Sequence, residues 1–385
     1  MNNIRLSLNS ILLALLLGGC QSQPGTQDIN FQLTAAFETA VAQIGIPSET
    51  PAASETPVPT ATILRTPPAL PGTYQTSLLK AEDLPRTYLA DNCQYLQNKW
   101  NPNNSTPGTV VMTIMFHGIV KDAVSNDPKN ITVNDFKKLM NDLFEMGFQA
   151  INMQQMADFM YSNARIPQRS LLLIQDDRKY KENFNEHFRP YWDQWGWPVV
   201  NSWISGFGGD DAVLAENVNL SREGWIDYQA HGYIHNVPIT NSSTDDFITA
   251  EMQGSITNIQ TYFNKTPIAY IWPGGGFSAR SVELAPQFGY KLGFTVNQRG
   301  PVMYNWVPQA DSVNQSNTLA IPETPAKNPL MTLPRYWDAN ARGELDNVRQ
   351  IGQQAALYED QNKATELEYY DIVCAPAYGP IPSLP

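Results

Sequence analysis

Residues 170–178 read SLLLIQDDR. Leu171 to Ile174 form a short, unbroken apolar run that ends on two adjacent carboxylates, Asp176 and Asp177. A run of that length without polar alternation predicts a strand covered on both faces. The same pattern recurs on either side. Upstream, Val110 to Phe116 (VVMTIMF) is a second continuous apolar run. Downstream, strand-like segments fall at 199–204, 268–271 and 292–296. Helical spacing fills the gaps. Phe136, Leu139, Met140, Leu143 and Phe144 share one face of a helix that Thr132 caps and Gly147 ends. Further helical patterns cover 249–263 and 279–288. Apolar strands alternating with helices predict an α/β protein with a parallel sheet. The pattern leaves a closed barrel and an open sheet both standing.

Chemistry concentrates at the strand ends, where parallel α/β folds gather their catalytic groups. Two neighbouring carboxylates repel each other unless something neutralises them. A divalent cation does this for one and leaves the other free as a base. The chain has four histidines, and two of them, His231 and His235, stand in HGYIH. On a helical turn their spacing puts both rings on one side, able to share a metal. Two histidines and a carboxylate leave coordination positions open for water and substrate. Trp272, Pro273 and Gly274 begin WPGGG, which follows the strand-like IAYI. Glycines there bring backbone N–H groups close to a ligand, as a developing oxyanion requires. His117 ends the first core strand and is placed to donate a proton, whereas His187 sits in a helical stretch and is given no role.

The chain has 385 residues, with 25 Lys+Arg against 37 Asp+Glu and a formal charge of -12. An acidic chain without a basic cluster is not a nucleic-acid binder, since such binding rests on neutralising phosphates. The first residues, MNNIRLSLNSILLALLLGGC, combine Arg5, an apolar stretch from Ile11 to Leu17, and Leu17-Gly18-Gly19-Cys20. The apolar stretch is too short to span a bilayer and predicts a signal peptide over 1–19, cleaved before a lipidated Cys20 as in bacterial lipoproteins. The expected location is therefore outside the cytoplasm, held to the membrane or envelope by lipid alone. Export places Cys93 and Cys374 where disulfides persist, and a bridge between them is expected. Pro47 to Thr73 is rich in Pro, Thr, Ser and Ala and predicts an extended tether. The expected organisation is a linker region over 20–107, a catalytic domain over 108–345 and a tail over 346–385, acting as a monomer.

Taken in order, these motifs resemble the polysaccharide deacetylases with a NodB homology domain, carbohydrate esterase family 4. The resemblance runs from about Val110 to Trp337. MFHGI matches the family's first strand and its YHG-like turn, and FKKLMNDLFEMGFQAINMQQM its next helix. IQDDR stands where TFDDG is usual, HGYIH where HS/TxxH is usual, and WPGGG at the (R/Y)PxG-type loop. GYKLGFT and LPRYW resemble two later strands. The resemblance implies a distorted (β/α) barrel and a hydrolase that removes N-acetyl groups from an envelope or extracellular polysaccharide. It makes Asp176 the general base and Asp177, His231 and His235 the ligands of a divalent ion, usually zinc. The Gly274 N–H would share the oxyanion. No histidine follows His235, so the C-terminal Leu-x-His that supplies the acid in many members is missing. The resemblance to the poly-N-acetylglucosamine branch puts His117 in that role. With Trp272 in place of the third motif's usual Arg, Arg335 becomes the candidate partner of Asp176. Gln175, Arg178 and Gly232 depart from the family pattern. An O-acetyl esterase on xylan-like glycans and a non-catalytic glycan-binding lipoprotein are the competing readings.

Overall fold

The computed structural model describes residues 65–382, apart from 122–123, 125–126, 207–210, 235–236 and 313–320. Cys20, the expected leader and most of the expected tether lie outside the described residues, as does His235. Among the described residues no helix is long and apolar enough to cross a membrane.

A curled parallel sheet organises the domain. Strands β1 (Asp83–Arg86), β2 (Val110–Phe116), β3 (Gly118–Val120), β4 (Asn130–Thr132), β5 (Gln149–Ala150), β6 (Arg169–Asp176), β7 (Val199–Trp203), β8 (Ile226–Ala230), β9 (Ala269–Ile271), β10 (Leu292–Phe294), β11 (Val307–Ala310) and β12 (Tyr336–Trp337) follow in chain order. The main sheet runs β10-β9-β8-β7-β6-β2-β12, with β5 paired to β6. All its pairings are parallel. The stretch Leu333–Trp337 bridges the two ends of this order. Leu333 exchanges backbone hydrogen bonds with Gly293 and Thr295, while Tyr336 and Trp337 pair with Ile114 and Met115. The result is a curled half-barrel, in keeping with the distorted (β/α) barrel that the family resemblance implies.

The continuous apolar runs are explained by burial on both faces. Met112, Ile114, Leu171 and Leu173 join the cluster shared with the surrounding helices. Alternate residues Val111, Leu172, Ile174 and Val200 point the other way, against Ile271, Leu292 and Phe294. Side chains of successive strand residues face opposite sides, so each strand feeds both layers. Thr132 caps the helix Val133–Glu145 by accepting from Asp135 N, and Gly147 follows its end at φ +78°.

Two organisational expectations need correction. Residues 65–107 are not simply linker. β1 pairs antiparallel with β11, and the helix Asn92–Trp100 packs on the chain's end. The boundary at 345 falls inside the 32-residue helix Asp338–Tyr369. That helix docks closely at the start of β2. A Cβ on Gly108 would lie 2.4 Å from Gly352 O, so only glycine tolerates the contact. The extension is further fixed by the Cys93–Cys374 disulfide, whose Cα atoms are 5.2 Å apart. Lys99 is buried there, bonded to Glu366 at 2.9 Å and paired with Glu359.

Candidate functional site

Strand register fixes who meets whom. Phe116 lies opposite Gln175, and Asp176 opposite Ser202. The residues next along the chain, His117 and Asp177, therefore emerge together at the carboxyl end of the sheet. His231 follows β8 directly, and Arg335 directly precedes β12.

Asp176 is buried and fully engaged. Arg335 Nη1 donates to Oδ1 at 2.7 Å and Oδ2 at 2.9 Å, and Ser202 Oγ donates to Oδ1 at 2.7 Å. Arg335 is itself wholly buried, and its Nε donates to Thr295 O at 2.7 Å. Burial pushes the Asp176 carboxyl up, but Arg335, with His231 and His117, outweighs this and holds it well below the usual carboxylate range. Asp176 is thus held as the carboxylate at neutral pH.

His117 presents Nε2 3.5 Å from Asp176 Oδ2, and its ring stacks on Trp337 with centroids 5.3 Å apart. Nδ1 is buried without a hydrogen-bond partner. Burial lowers the His117 pKa, opposed by the Asp176 charge and reinforced by Arg335.

Asp177 adopts φ +68°, a left-handed conformation rarely seen outside glycine but tolerated by Asp. The turn directs its carboxylate to His231, with Oδ1 3.7 Å from Nε2. His231 Nδ1 is 2.8 Å from Ile271 O. A carbonyl only accepts, so Nδ1 carries a proton, and Nε2 is the ring nitrogen that faces Asp177. An imidazole nitrogen and a carboxylate oxygen facing each other beyond hydrogen-bond range suit two ligands of one cation. These two residues fit a divalent ion. His235, the expected third ligand, lies outside the described residues. Among the described residues no group of three His, Cys, Asp or Glu is gathered to hold one.

The WPGGG loop divides by depth. Trp272 is fully buried and donates through Nε1 to Met331 O at 2.8 Å. Pro273 is buried as well, whereas Gly274 is exposed at φ +57°. The expectation that Trp272 lines the substrate is corrected: its indole packs into the core beside Tyr270 and Phe277. Ser202, Thr295 and Trp337 complete the site and were not singled out from sequence. Ser202 carried a signal, a lone hydroxyl inside the apolar run VVNSWI. His187 is buried in the helical turn Phe184–Phe188, against Phe136. A separate cavity of about 280 Å³ lies near the amino end of β2, lined by Tyr74, Lys99, Gly108 and Tyr304, where none of these groups gather.

Residues 170–293 match the family model for polysaccharide deacetylase. That stretch, about a third of the chain, is similar to polysaccharide deacetylase domains. The match contains Asp176, Asp177, His231 and Gly274 and leaves out His117 and Arg335. The chain is similar to the deacetylase PplD of Streptococcus pyogenes, solved in complex with acetate. That likeness has 19% identity over 60% of this chain and 93% of the other, with a TM-score of 0.46. IcaB from Ammonifex degensii is similar at 13% identity, covering 64% of this chain and 97% of its own, with a TM-score of 0.47. The BpsB deacetylase domain of Bordetella bronchiseptica follows at 15%, 60% and 96%, with a TM-score of 0.44. No curated protein matches the chain.

Proposed function

We propose that this protein is a metal-dependent hydrolase that removes N-acetyl groups from an envelope or extracellular polysaccharide built on N-acetylglucosamine. One observation carries the reading. A buried, clamped carboxylate, Asp176, stands beside a second carboxylate, Asp177, that faces His231 Nε2. A purely structural cation site has no use for the spare base.

Asp177 and His231, with His235, would hold the ion. When bound, it supplies Lewis-acid polarisation of the acetyl carbonyl. The chain's own residues do the rest. Arg335 and Ser202 orient Asp176; Oδ1 accepts from both, whereas Oδ2 accepts from Arg335 alone and keeps a lone pair to take the proton of the attacking water. His117 protonates the leaving nitrogen, and the Asp176 charge 3.5 Å from Nε2 stabilises its protonated form. The Gly274 N–H donates to the oxyanion. Cys20, lipidated after cleavage of residues 1–19, would hold the enzyme at the membrane or envelope.

The test is acetate release from chitin oligomers, peptidoglycan and acetylated xylan, with zinc content measured in parallel. Release from the first two with bound metal supports the proposal. Release from xylan alone would make the protein an O-acetyl esterase, and glycan binding without release would make it a lectin-like relic.

A further inference from the structure

Glu251 lies on the helix Asp245–Phe263 and is wholly buried. Its carboxylate takes no Lys or Arg partner among the described residues. It accepts instead from two consecutive backbone amides, Tyr233 N at 2.8 Å through Oε2 and Ile234 N at 2.9 Å through Oε1. Those amides belong to the three residues that join His231 to His235. A buried carboxylate without a cation is costly unless its charge is met by well-placed donors. Here the donors are the loop itself.

The rest of the loop is shaped to that carboxylate. Gly232 sits at φ +81°, and a Cβ there would lie 2.8 Å from Glu251 Oε2 and 2.9 Å from Pro273 Cγ. One helical turn beyond Glu251, Gly254 receives the Tyr233 ring, which would stand 2.7 Å from any added Cβ. On the opposite side, Gly206 abuts Tyr233 O, and Ser205 N donates to Gly232 O at 3.1 Å. The backbone between the two histidines is thus held by helix, neighbouring loop and proline together, and Glu251 is the buried charged side chain that bonds its amides.

We infer that Glu251 is the positioning residue of the ion-holding loop. By pinning the Tyr233 and Ile234 amides it sets the path by which the chain leaves His231. It touches neither substrate nor ion. The inference rests on the reading that Asp177, His231 and His235 hold a divalent cation.

The experiment uses the full chain and Co²⁺ as the probe. Glu251→Gln keeps the shape but turns an NH₂ group toward one of the two amides. Glu251→Asp keeps the charge and shortens the reach, and serves should the first variant fail to fold. For either variant the Co²⁺ dissociation constant should rise about 10–100-fold, the usual effect of losing an outer-shell partner. The visible spectrum of bound Co²⁺ should change. Hydrogen exchange at the Tyr233 and Ile234 amides should accelerate at least about tenfold, while amides of β8 stay protected. A folded variant that binds Co²⁺ with unchanged affinity and spectrum, even at a lowered melting temperature, overturns the inference. Wild-type protein that takes up no Co²⁺ overturns the metal reading and the inference with it, and that failure is visible before any variant is made.

Discussion

Arg335 and Asp176 lie 159 residues apart and meet as a closed pair, with one guanidinium nitrogen 2.7 and 2.9 Å from the two carboxylate oxygens. Neither side chain has more than 1% exposure. The cation keeps the carboxylate charged where burial alone would neutralise it. Arg335→Gln should therefore raise the Asp176 pKa, and the acid limb of the kcat/KM profile should move up by about 1–3 pH units. The variant should also lose roughly 3–5 kcal/mol of stability, the cost of a buried charge left alone. In the wild type the carboxyl is depressed, so the pair's contribution is present above the unfolded pKa of about 4 and is lost only in strong acid. An unshifted acid limb would show that Arg335 does not govern this carboxylate.

His117→Ala should lower turnover by roughly 10²–10⁴-fold, the usual worth of a general acid or base. Metal content should stay at the wild-type level, because the His117 contacts run to Asp176 and Trp337 rather than to Asp177 or His231. Acetate release and bound zinc, measured on the same preparation, separate the outcomes. Near-normal turnover would mean that water or another group protonates the amine, and loss of metal would make His117 a ligand.

Asp338 begins the long C-terminal helix with its carboxyl 1% exposed and one oxygen without a partner. Burial, opposed by the Ala339 N–H and reinforced by the Asp176 charge, raises its pKa to about 7. A raised carboxyl means the native state keeps a proton that the unfolded chain releases. Its contribution to stability is therefore complete below about pH 4 and is lost as pH rises toward 7. Asp338→Asn should flatten that decline, recovering up to about 4 kcal/mol at pH 8 relative to pH 4. Urea unfolding of both proteins at the two pH values checks this, and parallel pH dependences would contradict it.

Cys93 and Cys374 close a loop with a sequence separation of 281. Cys93→Ser should cost about 2–5 kcal/mol, chiefly through a freer unfolded chain. The site residues lie elsewhere, so turnover at a temperature well below unfolding should change little. A melting curve with and without reductant provides the measurement.

Local chemistry wrote much of this molecule plainly into the sequence. The apolar runs became buried strands, and Thr132 and Gly147 punctuate their helix as side-chain and backbone preferences dictate. The Asp pair and HGYIH stood out because carboxylates and histidines are informative at strand ends. Closure of the barrel was not legible, since it depends on Leu333 and Tyr336 finding partners at opposite edges of the sheet. Trp272 misled because it stands two residues before an exposed glycine while its own side chain turns inward. Glu251 did leave a trace. It falls on the buried stripe formed by Ile248, Met252 and Ile256, where a charge has no place unless something receives it. The helix Asp338–Tyr369 carries few large apolar residues, so its length was invisible until its contacts were known.

The clasp between Cys93 and Cys374 has a mechanical consequence. Every strand of the barrel, from Val110 to Trp337, lies inside one covalent ring, while Arg65 and β1 lie outside it. A pull between the two chain ends is carried from Cys93 to Cys374 and bypasses the sheet. Tension from that direction can peel β1 from β11 and still leave Asp176, Asp177, His231 and Arg335 in register. The catalytic end is thereby insulated from whatever drags on the leading segment.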